Sequence, residues 1–236
     1  MKYIIMVLLV LSNVVNANTI EFVVSGSPGG SDDTVTRRVT EYLEKKTNLK
    51  IVVINKPGAS HTIAYNYVSD SDKQVLIAST PMIMKHEVYN KLNELFTLGN
   101  FSISVFTSTK SNIKTLDDLI ELSKKRDIIF GHGGTLSYSY VGMKTICDNA
   151  KCLEVPYKSG AVGMLDLMSN QIDAYCIPSY GSTQFVENDK LRLIHSIKTD
   201  KTSFKIFSKN LSEENKRIIL DVLKSLDSKF FVDMGF

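Results

Sequence analysis

From residue 19 to residue 226, short apolar runs alternate with segments of helical spacing. That alternation restricts the chain to few architectures. Strand-length runs lie at 19–25, 50–55 (KIVVIN) and 74–80 (QVLIAST). Between the first two, Val35, Val39, Tyr42 and Leu43 place one apolar face on a helix over 33–46. Ile63, Ala64, Tyr67 and Val68 mark a second helix, and a third is expected over 82–92. The segment FSISVFTS (101–108) is extended. Thr115 and Asp118 then form a capping-box pattern at the start of a helix. Strands follow at 127–131, 153–157, 172–177 and 191–197, with helices at 136–147, 161–169 and 181–187 between them. A last helix over 212–226 starts at Ser212. Strands separated by helices predict an α/β chain with mostly parallel sheets covered on both faces.

In such sheets ligands bind beyond the carboxyl ends of strands, in the loops that lead into helices. Two loops fit. The first is SGSPGGSDD (Ser25–Asp33), and the second is FGHGGTLSYS (130–139). Their glycines let the backbone approach a ligand, and the following helix offers unpaired N–H groups with a partial positive charge. Asp32 and Asp33 stand where an anion would be received. Asp33 at N-cap or N1 would stabilise the helix and leave the amides of Gly29, Gly30 and Ser31 for the ligand. Alternatively, Asp32 or Asp33 faces the cleft and receives an ammonium or amide group. Phosphate is disfavoured beside two carboxylates. Neither a P-loop nor G-x-G-x-x-G is present, so no nucleotide or other cofactor is expected.

The remaining features narrow the class. Net charge is +3, from 28 basic and 25 acidic residues mixed along the chain, which is no nucleic-acid footprint. Lys2, the run IIMVLLVL and VNA ending at Ala17 read as a signal peptide over 1–17, cleaved before Asn18. The apolar run is too short for a span of ~20 residues. An exported, soluble protein follows, expected to be a monomer. His61, His86, His132 and His195 lack metal-ligand spacing. His61, at a helix start after KPGAS, reads as a solvated cap or, alternatively, as a residue that reaches the cleft. G-x-S-x-G is absent, and Asp117 and Asp118 suit a helix first turn. Cys147 and Cys152 can pair in an oxidising compartment and pin the turn between a helix and a strand, or remain two thiols; Cys176 reads as a buried small hydrophobe.

The stretch PGGSDDTVTRRVTEYLEKKTNLKIVVINKPGASHTIAYNYV resembles the N-terminal signature of the Bug family, the periplasmic solute-binding proteins of tripartite tricarboxylate transporters. That pattern runs loosely A-G-G-x-x-D-x-x-x-R and then V-x-N-x-P-G-A. Gly29, Gly30, Asp33, Arg37, Asn55, Pro57, Gly58 and Ala59 fall on it. VPYKSGAVGMLDLMSNQIDA is similar to a second family segment, through Pro156, Tyr157, Lys158, Asp166, Leu167, Gln171 and Asp173. There are departures. Pro28 stands at a usual alanine, Ser159 and Asn170 at common glycines, and His132 at a small neutral residue. After LRLIHSI the family has a longer proline-rich stretch, where only KTDKTSFKIFSKN precedes the last helix.

The resemblance implies a two-lobed, class II Venus-flytrap fold without enzymatic activity. Lobe I would comprise 18–103 and 198–236 and lobe II 104–197, with hinges near 103–107 and 191–198. A small carboxylate would sit between the lobes. From lobe I it would meet Ser27, Gly29, Gly30, Ser31 and Asp33. From lobe II it would meet His132, Gly134, Thr135 and Ser137, with Tyr157 and Asp173 on neighbouring strand ends. The expected partners are integral membrane transporter subunits. A ligand sensor that signals to a membrane protein without transport is the alternative.

Overall fold

The computed structural model describes residues 19–80, 83–135, 137–179, 186, 188–198, 202–227 and 229–230. The expected signal peptide and most of the helix expected over 181–187 lie outside them. Among the described residues, no helix is long and apolar enough to cross a membrane.

The chain runs β1 (Thr19–Val24), α1 (Ser31–Lys46), β2 (Lys50–Asn55), α2 (Thr62–Ser69), β3 (Gln74–Ser79), β4 (Asn93–Asn100), β5 (Ile103–Ser108) and α3 (Leu116–Ser123). It continues through β6 (Ile128–His132), α4 (Tyr138–Cys147), β7 (Cys152–Pro156), α5 (Gly160–Met168), β8 (Ala174–Pro178), β9 (Leu191–Ile197), β10 (Ser203–Ser208) and α6 (Glu213–Lys224). Two five-stranded sheets result, ordered β2-β1-β3-β10-β4 and β7-β6-β8-β5-β9. In the first, β1 runs parallel to β2 and β3, while β10 is antiparallel to β3 and β4. In the second, β6 runs parallel to β7 and β8, while β5 is antiparallel to β8 and β9. The lobes therefore share one topology, in which a β-α-β-α-β unit is extended by one antiparallel strand and one more.

Two expectations change. The helix expected over 82–92 is replaced by short 3-10 turns at Ile83–Lys85 and Glu87–Lys91. The strands β4 and β10 went unread. NELFTLGN and SFKIFS pair with each other across more than a hundred residues, so neither carries its partner in its own neighbourhood. The segment 101–108, expected to be extended, supplies β5 inside the second sheet, with every residue of that strand buried.

The chain crosses between sheets twice, after β4 and after β9. The crossings lie side by side: the Phe101 N–H donates to the Thr202 carbonyl at 3.0 Å. Phe101 also packs against Phe204 of the first sheet and edge-on to Tyr138 of α4, with ring centroids 5.0 and 6.0 Å apart. The apolar interiors of the two lobes are thereby continuous at the crossing. A Cys147–Cys152 disulfide closes the turn from α4 to β7.

Candidate functional site

The β1–α1 loop and the β6–α4 loop face each other, as the placement of ligands at strand carboxyl ends requires. Between them lies a cavity of about 30 Å³, lined from the first lobe by Gly26, Ser27, Gly30, Ser31, Asp32 and His61. The second lobe supplies Gly133, Ser137, Tyr138, Ser139, Ser159, Gly160 and Tyr175. One direct bond spans the gap, Ser31 Oγ to Tyr138 Oη at 2.6 Å. Backbone contact spans it too. Gly134 has φ +100, and a Cβ built there would stand 2.5 Å from Ser60 Oγ. Only glycine permits both that conformation and that approach.

Asp33 and Asp32 have separate tasks. The N-cap of α1 is Gly30, so Asp33 is the third helical residue and neither N-cap nor N1. Its carboxylate accepts from the Gly29 N–H, Arg37 Nε and Asn55 Nδ2, each at 2.9 Å. Burial opposes its charge, but these bonds outweigh burial and hold the carboxyl below the ordinary carboxylate value. Asn55 also donates to the Gly26 carbonyl at 3.0 Å, so Asp33 and Asn55 together tie down the glycine loop from behind. Asp32, one residue earlier and about 100° around the helix, turns toward the cavity. Its Oδ2 accepts from Ser25 Oγ at 3.3 Å, and its Oδ1 is buried with no partner among the described residues. Burial pushes this carboxyl up to about 6; the Ser25 bond opposes the shift and the neighbouring Asp33 charge adds to it.

His61 is no solvated cap. Gly58 (φ 120) leads into Ala59, Ser60 and His61, all with positive φ at 46, 51 and 75. Three non-glycine residues in this region cost about 1–2 kcal/mol each. The turn carries the His61 ring inward, where Nδ1 meets Ser25 Oγ at 2.9 Å and Nε2 is buried without a partner among the described residues. Burial pushes the ring's pKa down to about 4, so it is neutral at pH 7. Ser25 gives its proton to Asp32 and therefore takes one from His61 Nδ1. That assigns the tautomer and leaves Nε2 an acceptor. The ring stacks on buried Tyr65, whose hydroxyl is also unpartnered.

The second-lobe wall is built differently. Ser137 Oγ caps α4 through the Tyr140 N–H at 3.1 Å and meets Ser139 Oγ at 2.7 Å. Ser139 Oγ accepts from the Gly133 N–H at 2.9 Å. Ser159, before α5, has a buried unpartnered hydroxyl.

Of the residues singled out from sequence, Ser27, Gly30, Ser31, Asp32, His61 and Ser137 line the cavity. The others stand behind or beside it. Gly29 (φ 78) is exposed and serves Asp33. Thr135 is exposed, and Gly134 meets Ser60. His132 turns back: its Nδ1 accepts from the Gly134 N–H at 3.1 Å and its ring packs edge-on to Tyr140. Burial lowers its pKa. Tyr157 donates to Asp166 at 2.7 Å, and burial, followed by that bond, pushes its pKa up to about 12. Asp173 stands before β8, at the end of the sheet remote from the cavity. There it accepts from Arg126 Nη1 and Nη2 at 2.6 and 2.7 Å and from the Ile129 N–H. Its place in a family-like motif reflects this anchoring of β8 to β6. Tyr138, Ser139, Ser159 and Tyr175 were not singled out. Tyr138 and Ser139 could have been found as the first residues of α4, and Ser159 as the residue before α5; the inward turn of Tyr175 has no such local sign.

Residues 35–208 match the family described as "Tripartite tricarboxylate transporter family receptor". The chain belongs to this family. Among its relatives, Protein BugT of Bordetella pertussis is 22% identical over 204 residues, covering 79% of this chain and 63% of BugT. The chain spans a little over half the length of the curated relatives it matches. The structure of the periplasmic binding protein BugD superposes with a TM-score of 0.82 at 19% identity, covering 92% of this chain and 85% of that one. MatC from Rhodopseudomonas palustris, solved with bound malate, gives 0.79 at 16% identity, covering 92% and 88%. The receptor thus has the two-lobed periplasmic-binding-protein fold, and family and fold are those of solute-binding proteins.

Proposed function

We propose that this receptor captures a small carboxylate between its lobes outside the cytoplasm and presents it to membrane subunits of a tripartite tricarboxylate-type transporter. The observation that carries the reading is the convergence of helix starts. The residues preceding α1, α2 and α5 are Gly30, His61 and Ser159; all line the cavity, and none caps its helix with a side-chain hydrogen bond. Their first-turn N–H groups and partial positive charges favour a carboxylate. Around it, Ser27, Gly30, Ser31 and Ser137 contribute hydroxyls and close backbone. Gly29, Asp33, His132 and Gly134 hold the two loops in shape, Thr135 borders the second, and Tyr157 and Asp173 support the sheet below. MatC, with the same fold, binds malate. The crossings near residues 101 and 202 serve as the hinge, and the ligand favours the closed form through contacts made only there.

A thermal-shift screen of the purified protein against mono-, di- and tricarboxylates tests the proposal. At a hundred times Kd a ligand stabilises by about 2.7 kcal/mol, a rise of a few degrees. A folded protein that responds to no carboxylate and carries none by native mass spectrometry would sink it.

A further inference from the structure

The cavity holds more unpartnered acceptors than a carboxylate needs. Asp32 is 5% exposed, and its Oδ1 has no donor among the described residues. His61 Nε2 has none either, and the Ser25 relay fixes it as an acceptor. A buried acceptor left without a donor is costly, and more so where it is charged. Two in one cavity, on residues that share Ser25 Oγ and with His61 carried inward by a strained backbone at Ala59–His61, indicate that something else supplies the protons. A carboxylate supplies none. The surroundings also favour positive charge. Among the described residues, no Lys or Arg lines the cavity to neutralise Asp32.

We infer that the ligand carries an ammonium group besides its carboxylate, and that Asp32 Oδ1 and His61 Nε2 receive it. The inference rests on the reading of the cleft as a carboxylate site. The division of labour follows the geometry. Helix starts and hydroxyls take the anionic end, and the Asp32–Ser25–His61 relay takes the cationic end. Because the relay satisfies Oδ2 and Nδ1 internally, one free acceptor per residue points to a single group with at least two N–H bonds. An amino acid fits, and a plain dicarboxylate does not.

Calorimetric titration at pH 7.5 with matched pairs, succinate against aspartate and glutarate against glutamate, tests this. In at least one pair the amino member is expected to bind tenfold more tightly or better. Asp32→Asn, isosteric and free of a buried charge, is expected to bring that pair within threefold, with a melting temperature at or above that of the wild type to show folding. If the plain acid binds as well as its amino partner, the ammonium site is wrong and the carboxylate reading stands. If the preference survives in Asp32→Asn, the assignment to Asp32 is wrong. If no member of either pair binds, and a wider carboxylate screen is also silent, both readings fall together.

Discussion

The two walls of the cleft come from the same β-α-β-α-β unit, yet they differ in how finished they are. On the second-lobe side, Ser137, Ser139, the Gly133 amide and the His132–Gly134 pair satisfy one another, and only the neutral Ser159 hydroxyl is buried without a partner among the described residues. On the first-lobe side, Asp32 Oδ1 and His61 Nε2 are buried and unmatched, on a turn with three non-glycine residues at positive φ. A preorganised wall costs nothing further when a ligand arrives. An unfinished one is unstable until its acceptors are met, and that instability is what makes it selective. On the proposed amino-acid reading, the same topology yields one wall that fits and one that chooses.

The loop anchors give the sharpest way to break this comparison. Asp33→Ala removes three hydrogen bonds, one charged, and leaves the Gly29 amide loose. A loss of about 3–4 kcal/mol is expected in chemical denaturation. His132→Ala, its counterpart in the other loop, removes one such bond and a buried ring, and about 2 kcal/mol is expected. Equal losses would mean that the loops are anchored alike.

Next in size is pH. The Asp32 pKa is raised from 3.8 to about 6, so its contribution to stability is fully present below pH 3.8 and is lost as pH rises through 6. The His61 pKa is lowered from 6.5 to about 4, so its contribution is present above 6.5 and is lost as pH falls through 4. Each is worth on the order of 3 kcal/mol, and between pH 4 and 6 they oppose each other. His61→Gln should therefore gain stability relative to wild type as pH falls from 7.5 to 4.5. Asp32→Asn should lose it over the same range. Parallel slopes in the two variants would remove the claim that the first wall holds the frustrated groups.

Gly134→Ala tests the contact between the walls. The added methyl meets Ser60, and φ +100 strains any side chain. About 1–2 kcal/mol of stability should be lost, together with a tenfold or greater fall in ligand affinity as closure is obstructed. Ligand affinity equal to wild type would show that the loops never meet in the bound form. The smallest effect is expected from Tyr138→Phe, which removes only the bond to Ser31. About 1 kcal/mol of closed-state preference should vanish, a several-fold rise in Kd with little change in the melting temperature of the free protein. An unchanged Kd would remove this bond from the closing device.

The sequence by itself determined the alternation of strands and helices, the two glycine loops and the place of the disulfide-forming pair. These depend on residues within a few positions of one another, where helical period, helix starts and turn chemistry act directly. It also carried the family through motifs that turn out to be partly scaffolding: Asp33 and Asn55 hold a loop, and Asp173 holds Arg126. What only the tertiary structure decided was of another kind. β4 and β10 exist as strands because each meets the other across the chain. Asp32 lines the cavity and Asp33 does not, because a single residue step on a helix rotates a side chain by about 100°. His61 enters the cleft because its turn adopts a backbone conformation that no residue type there favours, and packing across the lobes holds it. Such placements are sums over distant contacts, and no short stretch of sequence contains them.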